Sequence, residues 1–132
     1  MPRKPSTTLT EAEQRLMEVL WRRGEATVAE VVEALPAELG LAYNTVLTTL
    51  RILERKGYLR HRQRPGARAF VYRPRVARAE ARRRAVRDLL RRFFGQSHEA
   101  LVLNLLQDEP LEEAERKRIR ALLDAMDREA KS

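Results

Sequence analysis

The most constraining part of this chain is residues 41–74, LAYNTVLTTLRILERKGYLRHRQRPGARAFVYRP, where the hydrophobic period changes once, from that of a helix to that of a strand. Over about residues 43–56, Val46, Leu50 and Leu53 share one helical face, with Leu47 at its margin. Asn44, Thr48, Arg51 and Arg55 fall within about 60° of one another on the opposite face, flanked by Thr45 and Thr49 and preceded by Tyr43. Gly57 ends the helix, since a glycine tolerates the left-handed turn that closes one. Residues 59–64 and 68–73 then alternate with period two. Leu59, His61 and Gln63 lie on one side of the first strand and Arg60, Arg62 and Arg64 on the other. In the second strand Phe70 and Tyr72 oppose Ala69, Val71 and Arg73, and Pro74 stops it. The turn between them is Arg64-Pro65-Gly66-Ala67-Arg68. A lone hairpin is marginal in water, so this one has to lie on helices, its tip projecting with arginine on both shoulders.

The upstream residues supply those helices. Thr10 and Glu13 form a capping box, in which the hydroxyl accepts from the N–H three residues on and the carboxylate reaches back. Leu16, Met17, Val19, Leu20 and Trp21 give that helix its apolar stripe, and Gly24 stops it. Thr27 and Glu30 repeat the box for a shorter helix with Val28, Val31, Val32 and Leu35 inward, ended by Pro36. Residues 37–41, with Gly40, are a connection of the length expected inside a helix-turn-helix. Helix, turn, helix and basic hairpin in this order predict a winged helix-turn-helix over residues 1–75, behind a loosely ordered polar tail at residues 2–8.

Residues 76–132 read as a second, helical unit. A basic helix over 76–94 becomes apolar toward its end, at Val86, Leu89, Leu90, Phe93 and Phe94, and stops at Gly95. Ser97 caps a helix that Leu101, Val102, Leu103, Leu105 and Leu106 make apolar around most of its circumference. Pro110 separates it from a last helix, over 111–129, with Ile119, Leu122, Leu123 and Met126 apolar. The expected class is mainly α with a small β-hairpin. Three short leucine-rich helices with no fourth element to cover them predict a three-helix dimerisation domain and a homodimer. The interface would hold Leu89, Leu90, Phe93, Phe94, Leu101, Val102, Leu105, Leu106, Ile119, Leu122, Leu123 and Met126. The alternative is a monomer with these helices folded back on the N-terminal part.

Charge is distributed in blocks. Residues 1–50 carry 5 Lys/Arg against 7 Asp/Glu, residues 51–95 carry 16 against 3, net +13, and residues 96–132 carry 6 against 9. A basic block that begins in the third helix and runs through the hairpin points to a polyanion, with counterions released on binding. Asn pairs bidentately with adenine, Thr touches a base edge or a thymine methyl, and Arg forks onto guanine or phosphate, so the polar face suits a major groove. Arg62, Arg64 and Arg68 on the hairpin suit the phosphate backbone or an adjacent minor groove, where they add affinity more than sequence choice. The competing account is an arginine-rich solvated surface.

Other chemistries are absent from the sequence. With no cysteine there is no disulfide, thiolate nucleophile or thiolate metal site. His98-Glu99 begins like a zinc-protease motif, but Val102 stands where the second histidine belongs, and His61 has no ligand partner at motif spacing. No phosphate-binding glycine loop or nucleophile elbow occurs, and Glu112, Glu113 and Glu115 read as charges at a helix start. No enzyme, metal or cofactor is expected. Neither a signal peptide nor a membrane span is legible, so the expected location is the cytoplasm.

LTEAEQRLMEVLW at residues 9–21, NTVLTTLRILERKGYL at 44–59, FVYRP at 70–74 and FFGQSHEALVLNLL at 93–106 resemble the BlaI/MecI/CopY group of bacterial repressors, also called penicillinase-type repressors. The resemblance implies a winged helix-turn-helix and an intertwined C-terminal dimer that represses from an inverted-repeat operator in double-stranded DNA. It places Asn44, Thr45, Thr48, Thr49 and Arg51 on the recognition helix and Arg62, Arg64 and Arg68 on the wing. Copper-responsive members carry C-terminal cysteines, which this chain lacks. β-Lactam-responsive members are released when a membrane sensor protease leads to cleavage in the dimerisation helices. The Val-Leu-Asn pattern of that site aligns with Val102-Leu103-Asn104, but Leu105 follows where the best-known members have phenylalanine. Two readings stay open, a scissile bond between Asn104 and Leu105 and a plain helix residue inside a dimer. Two other functions also stay open, a non-specific architectural or RNA-binding protein and a winged-helix regulator that senses a small ligand.

Overall fold

The computed structural model describes residues 8–131, so the polar tail expected at residues 2–8 lies, but for Thr8, outside them. In chain order the elements are α1 (Glu11–Arg23), β1 (Ala26–Thr27), α2 (Val28–Ala34), a 3-10 turn (Ala37–Leu39), α3 (Tyr43–Arg55), β2 (Leu59–Gln63), β3 (Phe70–Pro74), α4 (Arg78–Phe94), α5 (His98–Asp108) and α6 (Glu113–Ala130).

Both capping boxes form. The Thr10 hydroxyl accepts from the Glu13 N–H at 3.1 Å while the Glu13 carboxylate accepts from the Thr10 N–H at 2.8 Å. Thr27 and Glu30 do the same at 3.2 and 3.0 Å. α1 stops at Gly24, whose φ of 87° is the conformation that Cβ disfavours in other residues. The same economy closes the hairpin: Gly66 has φ 78° behind Pro65, and the Ala67 N–H donates to the Arg64 carbonyl at 3.0 Å.

The sheet has three strands rather than the two of a simple hairpin. β3 lies in the middle, antiparallel to β2 on one side and to β1 on the other. β1 is only Ala26 and Thr27, too short to show a period, and it doubles as the entry to α2. Leu59 pairs with Pro74, Arg60 with Arg73, His61 with Tyr72, Arg62 with Val71 and Gln63 with Phe70.

The core joins Leu16, Met17 and Leu20 of α1, Val31 of α2, Val46, Leu50 and Leu53 of α3, and Leu59 and Tyr72 of the sheet, with Tyr58 between α3 and β2. Full burial of a side chain of this size stabilises by about 1.5–3 kcal/mol, so this cluster dominates the N-terminal unit. It anchors α3 by the face that the apolar period marked and leaves the polar face outward. Val76 and Ala81 belong to the same cluster, and the Trp21 Nε1–H donates to the Val76 carbonyl at 2.8 Å. By backbone contact the first compact unit accordingly ends at Asp88 and the second begins at Leu89, whereas composition divides the chain after residue 75.

In the second unit, Ser97 caps α5 by accepting from the Ala100 N–H at 3.0 Å. No residue of α5 or α6 is buried, although α5 is strongly apolar. Leu89, Phe93, Val102, Leu105, Leu106, Ile119, Leu122, Leu123 and Met126 are all exposed. Phe94 and Leu101 are half-buried. Leu90, also expected at the interface, is 6% exposed in the single chain.

Candidate nucleic-acid interface

α3 places its polar residues where the helical period put them. Tyr43, Asn44, Thr45, Thr48, Arg51 and Arg55 are exposed, and Thr49 is half-buried. The Thr48 hydroxyl donates to the Asn44 carbonyl and that of Thr49 to the Thr45 carbonyl, each at 2.9 Å. Both hydroxyls spend their proton inside the helix and keep lone pairs for an outside donor. Ala42 at the N-cap supplies no side-chain acceptor, so the first-turn N–H groups of α3 stay open at the positive end of the helix dipole.

The seam between α3 and the sheet is built by Glu54, which period reasoning did not single out. Its Oε2 accepts the His61 N–H at 3.0 Å and sits 2.6 Å from His61 Nδ1. The imidazole in turn lies against Phe70 and Tyr72, with centroids 4.6 and 5.6 Å away. His61 is therefore not a plain surface histidine; a carboxylate seven residues back along the chain holds it. Burial pushes the Tyr72 phenol above its ordinary pKa, the Glu54 charge adds to this, and the Arg51 guanidinium works against both. Arg51 thus reaches from the outer face of α3 to the sheet.

The wing arginines are not equivalent. Arg62 pairs with Glu25 at 3.2 Å, and Arg64 lies 3.9 Å from Glu30, which Arg23 also contacts at 2.6 Å. Arg68 is exposed and makes no ion pair among the described residues. Two of the three wing cations expected to meet phosphate are thus already engaged by carboxylates of the N-terminal unit. Glu30 is held below its ordinary pKa first by the Thr27 N–H, then by the Thr27 hydroxyl, with Arg23 and Arg64 assisting and partial burial opposing.

Elsewhere part of the basic block is paired locally. Arg78 pairs with Glu18 at 2.8 Å, and Glu80 collects Arg83, Arg84 and Arg87. Lys56 turns inward to Glu13 at 2.7 Å. Sequence order could not reveal this, because a lysine at a helix end normally points to solvent. Among the described residues no group of three metal-ligating side chains occurs, and no helix is long and apolar enough to cross a membrane. Asn104 and Leu105 are exposed within α5.

A helix-turn-helix with an unshielded polar third helix and a basic hairpin beside it has the architecture of a winged-helix DNA-binding protein. The family model described as penicillinase repressor matches residues 9–125, and the chain belongs to that family of DNA-binding transcriptional repressors, which are not enzymes. The penicillinase repressor of Bacillus licheniformis is 28% identical over 103 residues, which span 78% of this chain and 79% of that protein. The solution structure of the DNA-binding domain of the repressor BlaI is 29% identical, covering 61% of this chain and 93% of that one with a TM-score of 0.49. The CopR repressor structure is 38% identical, covering 52% of this chain and 97% of that one with a TM-score of 0.44.

Proposed function

We propose that the chain represses transcription as a homodimer on an inverted-repeat operator in double-stranded DNA. The observation that carries this reading is the outward face of α3: Asn44, Thr45, Thr48 and Arg51 are exposed on a helix whose other face is locked into the core. Side chains of these lengths enter a major groove and bond base edges. Thr49, Tyr43 and Arg55 border that face, and Arg68, with Arg62 and Arg64, offers charge to the flanking backbone. The second copy is supported by α5 and α6, which no single chain buries. A dimer removes that apolar surface from water and sets two reading helices in register.

The same proposal places the protein in the cytoplasm, where its DNA is, and gives it no resident cofactor. It includes release by a membrane sensor protease through cleavage at Asn104-Leu105, which requires α5 to open locally, since a protease cleft takes an extended segment. The non-specific architectural reading is less well supported. A purely electrostatic binder has no use for the short polar side chains Asn44, Thr45 and Thr48 that α3 turns outward.

Selection from a random duplex pool, followed by titration and sedimentation, tests the reading. The expected outcome is two chains per palindromic site, with half-sites about 34 Å apart and a preference over random duplex of roughly 10³ or more at physiological salt. Equal binding to every duplex, or to RNA, sinks it.

A further inference from the structure

Acidic and basic side chains three or four residues apart on a helix are neighbours, and elsewhere in this chain such neighbours pair. Glu80 meets Arg83 at 2.7 Å and Arg84 at 3.5 Å, and Glu11 meets Arg15 at 2.8 Å. Arg51 and Glu54 stand at the same spacing on α3, yet the ion-pair partner of Glu54 is His61 of β2. Oε2 of Glu54 accepts the His61 N–H at 3.0 Å and lies 2.6 Å from Nδ1, the contact an ionised carboxylate makes with a ring N–H. The ring is braced from behind by Phe70 and Tyr72, with centroids 4.6 and 5.6 Å away, and the strand is fixed two residues earlier by the fully buried Leu59. Arg51, passed over by its helix neighbour, is exposed and reaches toward the Tyr72 hydroxyl. A neutral hydroxyl holds a guanidinium less firmly than a carboxylate does, so Arg51 can leave it for a base at little cost.

We propose that His61 is a positioning residue for sequence choice: by occupying the Glu54 carboxylate it keeps Arg51 available to read base edges. The proposal rests on the DNA-binding reading above and extends it to a side chain that itself need touch no base. Without the imidazole, the Glu54 carboxylate lies one turn from Arg51 with only the backbone N–H of residue 61 to satisfy it. The Arg51–Glu54 pair then forms along α3 as the Glu80 pairs do along α4. An arginine so paired has to break a charge-assisted contact before it forks onto guanine, and its discrimination between bases falls. The carboxylate also repels phosphate, so its place beside a reading face makes sense only with a partner that occupies it.

The test uses the full chain and its variant His61→Phe, which keeps a ring against Phe70 and Tyr72 and removes the Nδ1 donor. Each is titrated against the selected operator and a random duplex, and the operators that each selects are compared with those selected by Arg51→Ala. The preference of His61→Phe for operator is expected to fall by about tenfold, within what one base-reading arginine supplies, and to relax at the base pairs that Arg51→Ala relaxes. Adding Glu54→Gln to His61→Phe should restore the preference, because the competing charge is gone. His61→Gln, whose amide can donate to the same carboxylate, should retain most of it. His61→Ala, read in the same way, stands in if the phenylalanine variant does not fold. A wild-type preference without the imidazole overturns the proposal. So does a loss that Glu54→Gln leaves in place, or one spread over base pairs that Arg51 does not read, since either shows that His61 only packs the wing. Failure of the repressor reading shows separately, as a wild-type chain that prefers no duplex.

Discussion

The ammonium of Lys56 lies 2.7 Å from Oε1 of Glu13, with both side chains only 7% exposed. Lys56 caps the end of α3 and Glu13 the start of α1, and the lysine also donates to the Thr8 carbonyl at 3.2 Å. One contact therefore fixes α3 against α1. Removing one partner strands a buried charge, so Glu13→Gln should cost about 3–5 kcal/mol, while Glu13→Gln with Lys56→Met should cost less than the two separate losses combined. Urea unfolding of the four species measures this. Strictly additive losses would show that the pair is not coupled.

On the proposed reading helix, Thr48→Ala or Arg51→Ala should weaken binding to the selected operator by about 1–3 kcal/mol and leave random duplex much less affected. Mobility-shift titration on both duplexes decides it. Equal losses on both would move the base contacts elsewhere.

The wing arginines should separate by their partners. Arg68→Ala is expected to weaken binding to every duplex alike and to reduce the salt slope by about 0.9 per chain. Arg62→Ala should change the slope less, because Arg62 already spends charge on Glu25. The comparison is a pair of salt titrations, and a larger effect at Arg62 would contradict the ranking.

Leu105→Asp places a charge on the apolar surface of α5, where Leu105 is 59% exposed. Sedimentation velocity should show a monomer, and operator binding should fall with the loss of dimer. A folded variant that still sediments as a dimer would put the seam elsewhere.

Glu30 supplies a pH dependence. Its folded pKa lies below the ordinary carboxylate value, chiefly through the Thr27 N–H. Stability from such a group is present above the unfolded pKa and lost as pH falls through the folded one. The side chain is 31% exposed, so the stability gap between wild type and Glu30→Gln should stay under about 1 kcal/mol. Chemical denaturation at neutral pH and in the acid range should show that gap at neutrality and its closure in acid. A gap that persists or widens in acid contradicts the assignment.

Some of this was legible without coordinates. Thr10 with Glu13 and Thr27 with Glu30 stand three residues apart, so chain connectivity alone brings each pair together once a helix begins. The faces of α3 followed from a period that any helix imposes, and the order of helix, glycine stop and alternating strands predicted the wing. β1 escaped because two residues have no period.

What the sequence determined by itself was local: helix starts and stops, which face of α3 turns outward, and the basic block that begins at Arg51. The tertiary structure decided which of those charges remain available. Lys56 meets Glu13 across 43 residues and Arg62 meets Glu25 across 37, pairings that no periodicity encodes because they depend on how helices and sheet pack. The same packing put Arg60 opposite Arg73 with no carboxylate between them. Charge is a property of composition, but its neutralisation at about 4 Å is a property of the fold.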